Sequence, residues 1–179
     1  MKLLVAPFSP CTGNKAALGA FYLQPLPDCS LLREGWPFFV PDWSEAFVAR
    51  AVWAVRISRL GKDIAPAFAH RYHEGVHMAV LFASAEGCSC FDGSVALSPM
   101  AVEGTTLALA VDGRVVQEAP ACELASAISM LIAHASRYLT LRTGDLILFG
   151  GAGEGVPVAE GQTLTGLLDG QAIMTIRIK

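Results

Sequence analysis

The sequence predicts a β-rich α+β fold with one main helix, at about residues 121–138. Two hairpin signals, Asp112-Gly113 and Asp169-Gly170, each lie between runs of strand-forming residues. A long β-branched and aromatic run, FVARAVWAVRI at 47–57, has the composition of a strand. One stretch carries helical periodicity, with Leu124, Ile128, Leu131, Ile132 and Ala135 on a common face. With 179 residues, of which 53% are hydrophobic and 16% charged, the chain is long and apolar enough for one domain, 1–179, with a sizeable core.

Taken in order, residues 1–46 carry prolines at 7, 10, 25, 27, 37 and 41, which allow short strands at 2–6 and 38–40 but no long helix. In 47–57, Phe47, Ala49, Ala51, Trp53, Val55 and Ile57 share one apolar face. Val48, Arg50, Val52, Ala54 and Arg56 share the other. Residues 58–63 form a turn. Residues 64–73 read as a short helix, with Pro66 in its first turn and Gly75 ending it. An apolar strand follows at 76–83, then a loop rich in Gly, Ser and Cys at 84–99. Strands 105–111 and 114–117 flank Asp112-Gly113. Pro120 precedes the main helix, and Glu123 falls in its first turn, where the helix dipole favours a carboxylate. Thr143-Gly144-Asp145 is turn chemistry. Leu146-Ile147-Leu148-Phe149 suits a strand buried on both faces. The glycines at 150, 151, 153 and 155 mark special backbone angles or a close approach. Strands 163–168 and 171–178 complete the second hairpin.

Composition narrows the function. The formal net charge is −3 and Lys and Arg do not cluster, which excludes a phosphate-binding surface and hence nucleic acid. No apolar run reaches the ~20 residues that span a bilayer, so no membrane partner is expected. Met1 to Ala6 resembles the start of a signal peptide, but Pro7 and Pro10 interrupt it, and a first strand is the better reading. The five cysteines are an odd number, which points away from a disulfide framework and toward a reducing cytoplasm. Cys88-Ser89-Cys90 lacks the two-residue spacer of zinc and redox pairs and reads as small, half-buried loop residues.

Short motifs add little chemistry. His73-Glu74-Gly75-Val76-His77 matches H-E-x-x-H, but a strand begins within it, and on a strand residues four apart are too far separated to share a zinc ion. The expectation is a helix end running into a strand, with no metal. Gly150-Gly151-Ala152-Gly153-Glu154-Gly155 follows a strand without opening a helix, so it is a strand-connecting loop rather than a dinucleotide or phosphate loop. No G-x-S-x-G occurs, and histidines at 70, 73, 77 and 134 give no triad order. His134 reads as a boundary residue of the helix.

Four blocks resemble the fumarylacetoacetate hydrolase family, in particular the C-terminal, catalytic type of domain found in its short bacterial members. They are Pro37-Phe38-Phe39-Val40-Pro41-Asp42-Trp43-Ser44; Val55 to Lys62 with Ala69-His70-Arg71-Tyr72; Val111-Asp112-Gly113-Arg114-Val115-Val116-Gln117-Glu118; and Ser136 to Ile147. The last is close to the family's S-x-x-x-T-L-x-x-G-D-x-I signature. The resemblance implies a β-roll of stacked, mixed sheets and a homodimer. It also implies Mg²⁺ or Mn²⁺ chemistry on 2-oxo and 1,3-dicarbonyl acids, the ion held by carboxylates and polarising an enolisable carbonyl.

By that resemblance the family's three metal-ligand positions fall on Arg50, Val52 and Leu81, and its lysine on Ser89. The motif that supplies its catalytic histidine has no counterpart, and its T-G-T-P loop has become Phe149-Gly150-Gly151-Ala152. A cation among three missing ligands inverts the charge that holds Mg²⁺, so no metal or other cofactor and no catalytic residue is assigned. The resulting expectation is a non-catalytic, dimeric member that binds a small ligand or partners an active paralogue. The rival is an enzyme of 2-oxo or 1,3-dicarbonyl acids in which Arg50 grips a substrate carboxylate. The pocket expected for such a ligand is Arg50, His70, Arg71, Phe149 and Gly150. The reading preferred for Arg50 is a structural pair with Asp42, Glu45 or another nearby acid.

Overall fold

The computed structural model describes residues 1–6, 23–120, 124–151 and 154–179. Its strands are β1 (Leu3–Ala6), β2 (Gln24–Leu26), β3 (Phe47–Ile57), β4 (His73–Ser84), β5 (Val95–Leu97), β6 (Thr106–Val111), β7 (Arg114–Pro120), β8 (Leu146–Phe149), β9 (Val156–Val158), β10 (Thr163–Leu168) and β11 (Gln171–Arg177). One α-helix, α1, runs over Leu124–Tyr138. The β-rich α+β class is as expected. The expected helix start at 121–123, including Glu123, lies outside the described residues, and Pro120 ends β7.

Seven strands form a mixed sheet in the order β2-β1-β8-β3-β4-β5, with β9 also pairing β3; β1 and β8 are parallel and the other pairs antiparallel. Four more form an antiparallel sheet, β11-β10-β6-β7. The predicted alternation of β3 decides how they pack. Ala49, Ala51, Trp53, Val55 and Ile57 enter the main core with Leu107 and Leu109 of β6, Leu164 of β10 and Ile128, Leu131 and Ile132 of α1. Val52 and Ala54 enter a second cluster on the opposite face of the large sheet, with Leu3, Leu81, Leu146 and Leu148.

Both Asp-Gly turns put two successive residues at positive φ, Asp112 and Gly113 at 49° and 81°, Asp169 and Gly170 at 47° and 80°. That is the backbone of a type I′ hairpin turn, whose twist matches the flanking strands. Each Asp side chain also accepts from the start of the other hairpin: Asp112 Oδ1 from Thr163 N at 2.9 Å, Asp169 Oδ1 from Thr106 N at 2.8 Å. The Thr105 and Thr106 amides hold the Asp169 carboxyl below its ordinary range.

The turn at 143–145 fastens the chain's beginning. Asp145 is fully buried. Its carboxylate accepts from Lys2 N and Arg142 N, each at 2.8 Å, and pairs with Lys2 Nζ at 2.6 Å. The serine and the Gly-Asp of the 136–147 block are therefore structural. Ser136 Oγ accepts from Ile64 N at 2.9 Å and clasps α1 to the segment that follows β3.

Several expectations change. Residues 66–71 form a 3-10 helix, Pro66–Arg71, shorter and tighter than the helix expected at 64–73. Gly75 does not end it; it lies inside β4 at φ 147°, where a Cβ would meet Ala101 Cβ at 2.8 Å. Residues 38–40 contribute a single bridge, Phe38 to Ile178, and the 84–99 loop contains β5. Cys88 and Cys90 are exposed rather than half-buried.

Candidate functional site

The site grows from an interruption beside β3. Strand β8 pairs with β3 at Trp53–Arg56 and β9 pairs with it at Phe47–Ala49. Residues 50–52 lie between, where the chain leaves β8 as a glycine-bearing loop and returns as β9. Gly151 presses onto this gap at φ 109°; a Cβ there would stand 2.8 Å from Ala51 O and 3.3 Å from Arg50 Cδ. The glycine is required by both its backbone angle and this close approach.

Gln117 closes the gap from the second sheet. It is buried on the inward face of β7; its Oε1 accepts from Ala51 N at 2.8 Å and its Nε2 donates to Glu154 O at 3.1 Å. One side chain thus ties β3, the loop and the opposing sheet. Gln117→Leu should cost about 1–3 kcal/mol, because it strands a buried amide and a carbonyl. A urea midpoint lower at unchanged m-value would show it; an unchanged midpoint would refute this role.

Above the gap opens a cleft of about 490 Å³. Register builds its floor: Arg50 pairs with Leu81 across β3 and β4, and Val52, two residues on, projects to the same side. Ser89, Phe149, Gly150, Glu154 and Ser84 complete the polar and loop walls. The four positions singled out in sequence, Arg50, Val52, Leu81 and Ser89, therefore converge on one cleft with Phe149 and Gly150. His70 and Arg71 do not belong to it. They are exposed on the 3-10 helix, where Arg71 stacks over Phe68 at 5.2 Å.

Arg50 makes no ion pair among the described residues, Asp42 and Glu45 included, and its buried Nε has no hydrogen-bond partner there. Burying a polar group without a partner costs free energy, and Arg50 Nε carries that cost here. A hard divalent cation does not fit this donor set. Among the described lining residues only Glu154 offers a carboxylate, Val52 and Leu81 offer no donor, and Arg50 repels a cation. The sequence of 7–22 contains no Asp, Glu or His either. Sequence reading missed Gln117 and Glu154. The available signal was a glutamine in phase with inward-facing Ala119, a polar residue at a core position.

The H-E-x-x-H residues lie on β4 from its first residue. No group of three or more His, Cys, Asp and Glu among the described residues could hold a metal. Glu74 lies 3.8 Å from Arg56, and His77 Nδ1 lies 3.2 Å from Ser98 O. Burial pushes both His73 and His77 below their ordinary 6.5, with the neighbouring His70 adding to the effect on His73. A lowered folded pKa means the unfolded chain takes up protons first. Stability is then full above pH 6.5 and falls as pH drops through and below it. Replacing both histidines with Gln should flatten the pH dependence of the thermal midpoint between pH 7 and about pH 5. An unaltered profile would refute the assignment.

Three comparisons bear on this cleft. The family model "Fumarylacetoacetate (FAA) hydrolase C-terminal" matches residues 26–178. An oxaloacetate tautomerase of Escherichia coli (strain K12) is 34% identical over 98 residues, 50% of this chain and 45% of that relative; the match spans less than half the relative's length. A 5-carboxymethyl-2-hydroxymuconate delta-isomerase from Mycobacterium smegmatis superposes with a TM-score of 0.83 at 18% identity, over 99% of this chain and 78% of the other. A fumarylpyruvate hydrolase from Pseudomonas aeruginosa, solved with Mn²⁺ and pyruvate, gives 0.81 at 16% identity, over 99% and 89%. These two likenesses establish a shared β-rich fold, which in this chain comprises one mixed sheet, one antiparallel sheet rather than a second mixed one, and one main helix.

Proposed function

Because this chain belongs to the fumarylacetoacetate hydrolase family, we propose that it is a metal-free, non-catalytic member that binds a small carboxylate on Arg50. One observation carries the reading: the cleft floor presents a guanidinium with an unsatisfied buried Nε, between Val52 and Leu81. The fork of Arg suits a carboxylate, and a fixed cation takes over the charge that a divalent ion would otherwise supply to such a ligand. A fold neighbour that holds both Mn²⁺ and pyruvate supports the ligand class. The protein acts in a reducing cytoplasm, which agrees with free, exposed Cys29, Cys88 and Cys90, and it assembles as a homodimer or with an active paralogue.

The test is metal analysis of the purified protein, with oxaloacetate offered as ligand and as substrate. The expected result is saturable oxaloacetate binding that added Mg²⁺ or Mn²⁺ does not strengthen, without turnover. Stoichiometric metal together with turnover would overturn the reading in favour of a family-type hydrolase, decarboxylase or isomerase.

A further inference from the structure

Arg50 is not the cleft's sole charge. Glu154 lines the same cleft, and the two make no ion pair with each other. Here the backbone of each is held in place. Arg50 belongs to a continuous strand paired with Leu81. The Glu154 carbonyl is tied through Gln117 to Ala51 N, the residue next to Arg50, by bonds of 3.1 and 2.8 Å. A Cβ on Gly151 would stand 3.3 Å from Arg50 Cδ, so the chain passes Arg50 closely at that point. One cationic residue and one exposed anionic residue thus line one cavity without an ion pair between them, with apolar Val52, Leu81, Leu148 and Phe149 in its walls.

We infer that the ligand is an amino-carboxylate, its carboxylate on Arg50, its ammonium on Glu154 and its apolar part against those walls. This rests on the carboxylate reading of the cleft and goes beyond it by assigning the second pole. A plain 2-oxo acid satisfies Arg50 and leaves Glu154 with water; an amino acid satisfies both, because its charges complement the pair. Glu154 is then the residue that separates amino acids from oxo and aliphatic acids.

A matched set tests it by calorimetry on the full chain: pentanoate carries the carboxylate, butylamine the ammonium, and L-norvaline both on the same carbon skeleton. Norvaline should bind at least about tenfold tighter than pentanoate, and butylamine should not bind detectably. Glu154→Gln should bring norvaline down to the pentanoate affinity and leave pentanoate unchanged. Arg50→Ala should abolish both, with the far-UV spectrum and thermal midpoint of each variant confirming the fold. If pentanoate binds through Arg50 and norvaline binds no tighter, the amino-carboxylate assignment is wrong and the carboxylate reading stands. If norvaline keeps its advantage in Glu154→Gln, Glu154 is not the second pole. If neither acid binds, both readings fall.

Discussion

Asp145→Ala should lose about 3–5 kcal/mol of folding stability, the cost of breaking a buried ion pair by removing one partner. Asp145 has no exposed surface, and its carboxylate serves the Lys2 amide, the Arg142 amide and the Lys2 ammonium at once. Alanine leaves two amides without their acceptors and an ammonium without its partner. The Lys2 side chain is 32% exposed, so its charge recovers water and the amides carry much of the penalty. The damage should begin at β1, whose parallel pairing with β8 starts beside this clasp, at Leu3 and Leu146. Urea unfolding measures the loss, and amide exchange at Leu3 to Val5 locates it. A loss below about 1 kcal/mol would show that β1 is held by its apolar contacts alone. Asp145→Asn should fall between, since it retains an acceptor without the charge.

Arg50→Ala should weaken carboxylate binding by about 2–5 kcal/mol, a factor of roughly thirty to several thousand, while leaving stability nearly unchanged. The two effects separate because the Arg50 Nε has no partner among the described residues. Removing it breaks no native ion pair, and the desolvation cost it carries disappears with it. Arg50→Lys should keep part of the affinity, because the charge remains and the fork is lost. Oxaloacetate titration reads the binding and a thermal melt the stability. A large fall in the melting midpoint at unchanged affinity would make Arg50 a packing residue and remove the basis for the ligand.

These predictions differ in how much the sequence alone could have supplied. The alternation in 47–57 placed Arg50 and Val52 on one face because a strand's side chains alternate with strict period two, and β3 has those bounds. The Asp-Gly turns were legible because few residues tolerate two positive φ angles in succession. The sequence predicts a longer helix than the 3-10 turn at Pro66–Arg71, with Gly75 as its stop, because a glycine signals special backbone without saying whether a helix ends or a strand passes a neighbour closely. His70 and Arg71 were drawn toward the cleft by their place in a matching block, and the chain's path takes them elsewhere.

By itself, then, the sequence determined the longer strands, the two hairpins, the main helix and the face on which Arg50 lies, all set by local backbone preference and side-chain period; the short strands β2, β5 and β9 were not legible in it. The tertiary structure decided which of those faces meet. It brought Leu81 opposite Arg50, pressed Gly151 and Gly155 onto residues 48–52, and set Gln117 of β7 and Glu154, just before β9, around them. Such contacts depend on strand order and register across two sheets, and these are fixed by the packing of the whole core rather than by any segment of the chain.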